Sequence, residues 1–464
     1  MRPPSAARST SASGEPGAEP LLPPRESLEK EPPTAAALRD DGQPADIAPE
    51  RLDVEGLKIL NRLHRYGHQA YFVGGCVRDL LLGRSPKDFD IATSAHPGEV
   101  RSLFRNCRLI GRRFRLAHVF FRGGKIIEVA TFRANPIGVG EPGEDLPEDL
   151  LITRDNVFGT AEQDARRRDF TVNSLFYDIR LGRGIDYAGG LADLQTRTIR
   201  TIGDPEVRMR EDPVRILRAV RFAARLSFEI DPATYAAMEG AVEDLARCAP
   251  PRVLEEVLKL MRGAHAKRSF ELLHALGALK LLLPPVGEHL QRTGEEGAKI
   301  LFGRLGSLDA RVQSSPVDDS IIIATLLHPL ASNMSQAAEL DMSPGEAVDA
   351  LLEQMVQTAR LPRRLADRAR MLLWAEGILS GERRRRRSLS SFRKHPIFPD
   401  ALTLFEIGVD ATGKGQELVA RWREGKDLDQ ITQQQPATGE GRRRKRRRRR
   451  RRGASPAGSP PQVP

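Results

Sequence analysis

Beyond about residue 204 the sequence offers almost no strands. Apolar residues recur there at spacings of three and four, as in Val253, Leu254, Val257, Leu258 and Met261, which lays one buried stripe along a helix. The stretch before it reads differently. Leu57, Leu60, Leu63 and His64 predict a helix, and the apolar run 70–73 a short buried strand. Gly74-Gly75 predicts a turn, and 76–82 a helix stopped at Gly83. An extended segment over 88–92, a helix over 98–106 and strands over 117–121 and 125–132 follow, the last two joined by a Gly123-Gly124 hairpin. This order predicts an α+β unit followed by an all-helical part. At 464 residues the chain is too long for a single core and divides into roughly two to four units.

Composition marks the borders. Residues 1–48 are rich in Pro, Ala and Glu and read as a disordered arm without the pattern of a signal or transit peptide. The Pro/Gly-rich acidic stretch 138–149 reads as a loop, and clusters near 314–320, 332–343 and 381–391 as turns or joints. Cys76, Cys107 and Cys248 lie far apart without metal-site spacing, so neither zinc nor a disulfide framework is expected, which fits a reducing cytoplasm. No run of about eighteen apolar residues is present, so no membrane span is expected. The formal charge of +11 equals the eleven basic residues of 442–452, a block that holds no acid. Such a block, including Arg442, Arg443, Arg444 and Lys445, reads as a disordered polyanion-binding tail. If every one of these cations met phosphate on single-stranded RNA, the salt slope would approach about −8, an upper bound.

Chemistry concentrates in four segments. Asp88-Phe89-Asp90 places two carboxylates two residues apart, on one face if the backbone is extended. Two such groups can share Mg²⁺, and phosphoryl-transfer enzymes often hold two ions about 3.5–4 Å apart. Gly74 and Gly75 stand upstream at a strand-to-helix turn where bare backbone can approach a phosphate chain. A third carboxylate is needed. Glu128, inside an apolar strand, and Asp169, after the cations Arg166, Arg167 and Arg168, are the two candidates; either can instead pair with a neighbouring arginine. Asp212 and Arg215 lie three apart at a helix start opened by Pro213. They form either a reader of a base edge or an N-cap with an intrahelical ion pair. Arg218, Arg221 and Arg225 continue at helical spacing as an RNA-facing stripe or a solvated face.

Taken together, Gly74-Gly75-Cys76-Val77-Arg78-Asp79-Leu80-Leu81-Leu82-Gly83, Asp88-Phe89-Asp90-Ile91-Ala92-Thr93, Arg167-Arg168-Asp169-Phe170-Thr171 and Glu211-Asp212-Pro213-Val214-Arg215 resemble the bacterial poly(A) polymerase and class II CCA-adding nucleotidyltransferase family. The resemblance implies a polymerase-β-like head over 49–203, a helical neck over 204–265, a helical body and tail over 266–432, and the basic tail 433–464. It implies metal binding by Asp88 and Asp90, with Asp169 and Glu128 both carried as catalytic positions and Asp169 ranked slightly higher. It further implies nucleotide binding by Gly74, Gly75, Arg78, Arg168, Asp212 and Arg215, and RNA binding by Arg218, Arg221 and the tail. Two Mg²⁺ ions and ATP as substrate follow.

Within that family, Leu109-Ile110-Gly111-Arg112-Arg113-Phe114-Arg115-Leu116-Ala117-His118-Val119 looks like the poly(A) polymerase signature, where CCA-adding relatives carry Gly-Thr. The expected activity is therefore template-independent addition of AMP to RNA 3′ ends, acting in mRNA polyadenylation and turnover. His118 is read as a strand histidine with a structural partner rather than a base. A CCA-adding tRNA nucleotidyltransferase is the alternative, and a non-catalytic RNA-binding protein on the same scaffold the alternative from another class. A cytoplasmic monomer with RNA-degradation proteins as partners completes the expectation.

Overall fold

The computed structural model describes residues 47–111, 115–134, 157–336, 342–382, 389–426 and 428. The chain divides into two compact units that meet in sequence at Gly203 and Asp204. The basic block with Arg442, Arg443, Arg444 and Lys445, the expected loop 138–149 and the arm up to residue 46 lie outside the described residues.

The first unit opens with α1 (Val54–Arg65), whose start is capped by the Asp53 carboxylate accepting from Gly56 N. There follow β1 (Ala70–Val73), α2 (Gly75–Leu81), β2 (Asp90–Thr93), α3 (Pro97–Leu103), β3 (Cys107–Ile110), β4 (Leu116–Phe120) and β5 (Ile126–Thr131). After the short pair β6 (Arg133–Ala134) and β7 (Val157–Phe158) come α4 (Ala161–Arg166), β8 (Phe176–Asp178), β9 (Arg183–Ile185) and α5 (Gly190–Gln195). Seven strands form one sheet in the order β3-β4-β5-β2-β1-β8-β9. Only β2 and β5 run parallel; β1 is antiparallel to both β2 and β8. Every residue of β1 is buried, as expected for an apolar, aromatic and β-branched central strand. Tyr71, Val73, Ala92, Phe132 and Phe176 join Ala161 and Ala165 of α4 in one core cluster. On the opposite face α1 packs on β1 and β2, and α3 on β3, β4 and β5.

The second unit is helical apart from the two-residue strand Glu229–Ile230 among its described residues. It comprises α6 (Pro205–Glu211), α7 (Val214–Leu226), α8 (Pro232–Gly240), α9 (Pro250–Arg262), α10 (Ala266–Ala275), α11 (Leu279–Leu282), α12 (Pro284–Ser314), α13 (Asp319–Gln336), α14 (Pro344–Thr358), α15 (Arg363–Leu379), α16 (Leu389–Arg393), α17 (Phe398–Thr412) and α18 (Gln416–Glu424). The break near 314–320 is present between α12 and α13. Of the turn expected near 332–343, the part up to Gln336 is helical, because α13 runs through it despite Pro329, and 337–341 lie outside the described residues. Gly294, with φ +60° and ψ −145°, interrupts α12, a conformation that favours glycine. Helices α12, α13, α15 and α17 pack together around an ion pair between Arg304 and Glu376 at 3.1 Å, both side chains about 95% buried. A Cβ on Gly408 would stand 2.7 Å from Arg304 Nη1, so glycine makes the room for that guanidinium. All three cysteines are free, and among the described residues no helix is long and apolar enough to cross a membrane.

Candidate active site and base-reading residues

The carboxylates of the first unit are placed by strand register. Because side chains alternate along a strand, Asp90 shares its face of β2 with Ala92, while Ile91 and Thr93 are buried on the other face. Asp90 pairs in register with Glu128 of β5, and Glu128 pairs with His118 of β4. Three polar side chains thus form a row across three strands. The strand begins at Asp90 rather than Asp88, so Asp88 sits on the approach to it, and each of the two residues as a whole is exposed.

Asp90 meets solvent along one side and protein on the others. This partial burial pushes its carboxyl up to about 6, with Glu128 and Asp88 adding to the rise and Arg168 opposing it. Such mutual repulsion is what a divalent cation relieves. The donors are hard carboxylate oxygens, the ligand type Mg²⁺ prefers, and Mg²⁺ ordinarily takes its remaining ligands from substrate phosphates and water. Among the described residues no three acidic, histidine or cysteine side chains close into a metal cage by themselves. His118 Nε2 lies 3.4 Å from Glu128 Oε1, so the partner that the sequence suggested for this histidine is the candidate third carboxylate.

On the other side of Asp90 stands Arg168. Its guanidinium is bound by the Asp164 carboxylate at 2.9 Å and donates to the carbonyl of Asn173 at 3.2 Å. Burial pushes the Asp164 carboxyl up, but Arg168 and Arg167 outweigh it and hold the group below the usual carboxylate range. Asp164 therefore stays charged and fixes both arginines. Gly74, at the end of β1, has φ +73° and ψ −128°, and a Cβ there would stand 2.9 Å from Arg168 Nη1. Glycine serves both the turn and the close approach of the cation. Gly75 begins α2. Gly74→Ala is expected to raise the KM for a nucleoside triphosphate substrate about tenfold, from roughly 1–3 kcal/mol of backbone strain and a displaced Arg168. Steady-state kinetics checks this, and wild-type KM would count against the turn as a phosphate cradle.

Arg78 is 1% exposed. It donates to Asp79 at 2.7 Å and to the side-chain carbonyl of Asn173, so its guanidinium is held among protein groups. Asp169 accepts from Phe170 N at 2.9 Å and from Asn173 Nδ2 at 3.2 Å, pinning the turn that carries Asn173. Sequence reasoning overlooked Asp164 and Asn173. Asp164 was findable, since it precedes Arg167 and Arg168 by three and four positions, the helical contact distance.

In the second unit Asp212 and Arg215 do not pair through their side chains. Asp212 follows the last residue of α6, and its Oδ2 accepts from Arg252 Nη2 of α9 at 2.6 Å. Its Oδ1 is buried without a hydrogen-bond partner among the described residues. Arg215 is buried and donates through Nη1 to Glu211 Oε2 at 3.0 Å and to the Arg208 carbonyl; Glu211 also takes Arg208 at 2.7 Å. One acceptor without a partner and one fixed guanidinium result. Arg218 and Arg221 lie over the Phe222 ring at 5.7 and 4.9 Å, and Arg221 is 3.6 Å from Glu256. Arg225 is exposed.

Comparison with known proteins places the chain among nucleotidyltransferases. Residues 70–200 match the family model described as the poly A polymerase head domain. Residues 227–289 match a probable RNA and SrmB-binding site of polymerase A, and 339–454 the polymerase A arginine-rich C-terminus. Poly(A) polymerase I of Salmonella typhimurium is 38% identical over 390 residues, covering 82% of this chain and 83% of that protein. A CCA-adding enzyme of Bacillus pumilus is 39% identical over 218 residues, covering 47% of this chain and 52% of its own length. The crystal structure of the Bacillus stearothermophilus CCA-adding enzyme in complex with CTP has a TM-score of 0.58 at 29% identity and covers 81% of both chains.

Proposed function

The chain belongs to the bacterial poly(A) polymerase I family, and from that membership we infer that it adds AMP from ATP to RNA 3′ ends without a template. The observation that carries the catalytic part is the register that sets Glu128 beside Asp90, with Arg168 acting on the same carboxylate. Asp88, Asp90 and Glu128 would hold Mg²⁺. When bound, two such ions activate the RNA 3′ hydroxyl and neutralise charge on the triphosphate. Arg168, fixed by Asp164 and Asn173, donates to phosphate oxygens beside the Gly74-Gly75 turn. Asp169 and Arg78 act through Asn173, keeping that arginine in place. The α+β head thus performs the transfer. The neck over 204–265 carries the base-reading pair with Arg218 and Arg221 as RNA contacts. The body and tail over 266–432 and the basic tail hold RNA.

Base choice follows from donor and acceptor order. Adenine and cytosine present an amine beside a ring acceptor, whereas guanine and uracil present the reverse. The Asp212 carboxylate as acceptor with Arg215 as donor therefore favours the first two. The Arg252 contact holds Asp212 in one position, which suits one base size. Arg252→Ala is expected to narrow the preference for ATP over CTP about tenfold, a difference of about 1.4 kcal/mol, and Asp212→Ala to relax it further. Single-nucleotide incorporation checks both, and an unchanged ATP preference in each variant would remove Asp212 from base reading.

Poly(A) rather than CCA synthesis is supported by the segment Leu109 to Val119 and by the extent of the match to poly(A) polymerase I. Supplying ATP and CTP together with a tRNA lacking its CCA end tests this. Runs of AMP on that tRNA and on unstructured RNA alike are expected; addition that stops after CCA, on tRNA alone, would overturn it. The same reading gives a cytoplasmic monomer acting in mRNA processing and turnover. Degradation proteins are the proposed partners, which the family's SrmB-binding description for 227–289 supports.

A further inference from the structure

The face of the head that continues outward from Glu128 carries features that the transfer chemistry alone does not use. Asp90 lies between β1 and β5. On the β1 side stand the Gly74 turn and Arg168, the cation and bare backbone that suit a departing pyrophosphate. In-line displacement requires the attacking hydroxyl to approach from the opposite side of the phosphorus. That side is β5, followed by β4 and β3.

There the outward face is half open. Phe120 pairs in register with Ile126, two residues along from the His118 and Glu128 pair, a displacement of about 7 Å. It lies in the same direction in which Asp88 precedes Asp90. Ile126 is 43% exposed and Phe120 half-buried, while Val119 and Ile127 on the reverse face are buried. Arg108 of the edge strand β3 lies over the Phe120 ring at 5.5 Å. An aromatic ring, an apolar shoulder and a guanidinium plane together make a surface for stacking an unpaired base, with a cation for the adjoining phosphate.

We propose that Phe120, Ile126 and Arg108 form the seat of the 3′-terminal nucleotide of the RNA, delivering its hydroxyl to the Glu128 side of the carboxylate row. The assignment rests on the adenylyl-transfer reading and adds to it where the acceptor strand lies. Stacking of one base contributes roughly 1–3 kcal/mol, and about 1.4 kcal/mol is tenfold.

The test uses the full chain and a short oligoadenylate with 4-thiouridine at its 3′ end. On irradiation the crosslink is expected on the tryptic peptide Leu116–Arg122. Phe120→Leu, which keeps an apolar side chain of similar bulk, and Arg108→Gln should each raise the KM for the oligoadenylate about tenfold with the KM for ATP unchanged. A crosslink on another peptide in protein that still extends the primer, or an unchanged oligoadenylate KM in both variants, would overturn the seat. Wild-type protein that crosslinks on this peptide yet adds no AMP would instead sink the catalytic reading and leave the RNA face standing.

Discussion

Asp90→Asn is expected to lower the turnover of AMP incorporation about a thousandfold or more while RNA affinity and melting temperature stay at wild-type values. Asparagine keeps the size of the side chain and removes its charge. Asp90 is the carboxylate on which Glu128, Asp88 and Arg168 all act, so its loss removes the centre of the proposed metal site. Losing several kcal/mol of charge stabilisation, at 1.36 kcal/mol per factor of ten, gives roughly this magnitude. Because Asp90 opens to solvent and sits at the start of its strand, the substitution leaves the core of the sheet untouched. Single-turnover incorporation with parallel RNA-binding and melting measurements checks it. Activity within tenfold of wild type would refute Asp90 as a metal ligand.

Glu376→Ala is expected to have the largest effect on stability. It leaves Arg304 charged in the centre of the second unit, where the two side chains are about 95% buried and Arg304 Nε already lacks a hydrogen-bond partner among the described residues. Burial pushes the Glu376 carboxyl up while Arg304 opposes the rise. Burial also holds His328, 3.4 Å from Glu376, well below the usual imidazole range, with Arg304 adding to the effect. Removing one partner of such a pair costs about 3–5 kcal/mol, whereas replacing both by apolar residues of similar volume is often neutral. For a unit of this size the loss corresponds to a fall in Tm of roughly 10 °C. Thermal melts should show that fall for Glu376→Ala and near-complete recovery for the pair Arg304→Met with Glu376→Leu. A single variant that melts with the wild type would contradict the account of the body core.

These two sites show what the sequence could disclose. Periodicity and glycine placement carry local information, so the buried strand at 70–73, the turn at Gly74 and the helical second half were all legible. The neighbourhood of Asp90 and Glu128 followed only once β2 and β5 were paired, because parallel register is a tertiary fact. Asp88 was expected on the strand and lies before it. Arg78 was expected at the nucleotide and is buried against Asp79 and Asn173, which a motif cannot show since burial depends on what packs above it. Asp212 and Arg215 share a segment, yet their partners differ. Arg252 reaches Asp212 across 40 residues, and Glu376 reaches Arg304 across 72, with no sequence pattern linking either pair. Glu211 was the nearer miss, being adjacent to Asp212 and four residues from Arg215.

The central claim, template-independent adenylyl addition, is tested most directly by offering the purified chain Mg²⁺, an unstructured RNA primer and one nucleotide at a time. A long ladder with ATP alone, little extension with GTP or UTP, and none from Asp90→Asn are predicted. No extension with ATP, or a ladder that persists in Asp90→Asn, would contradict the account.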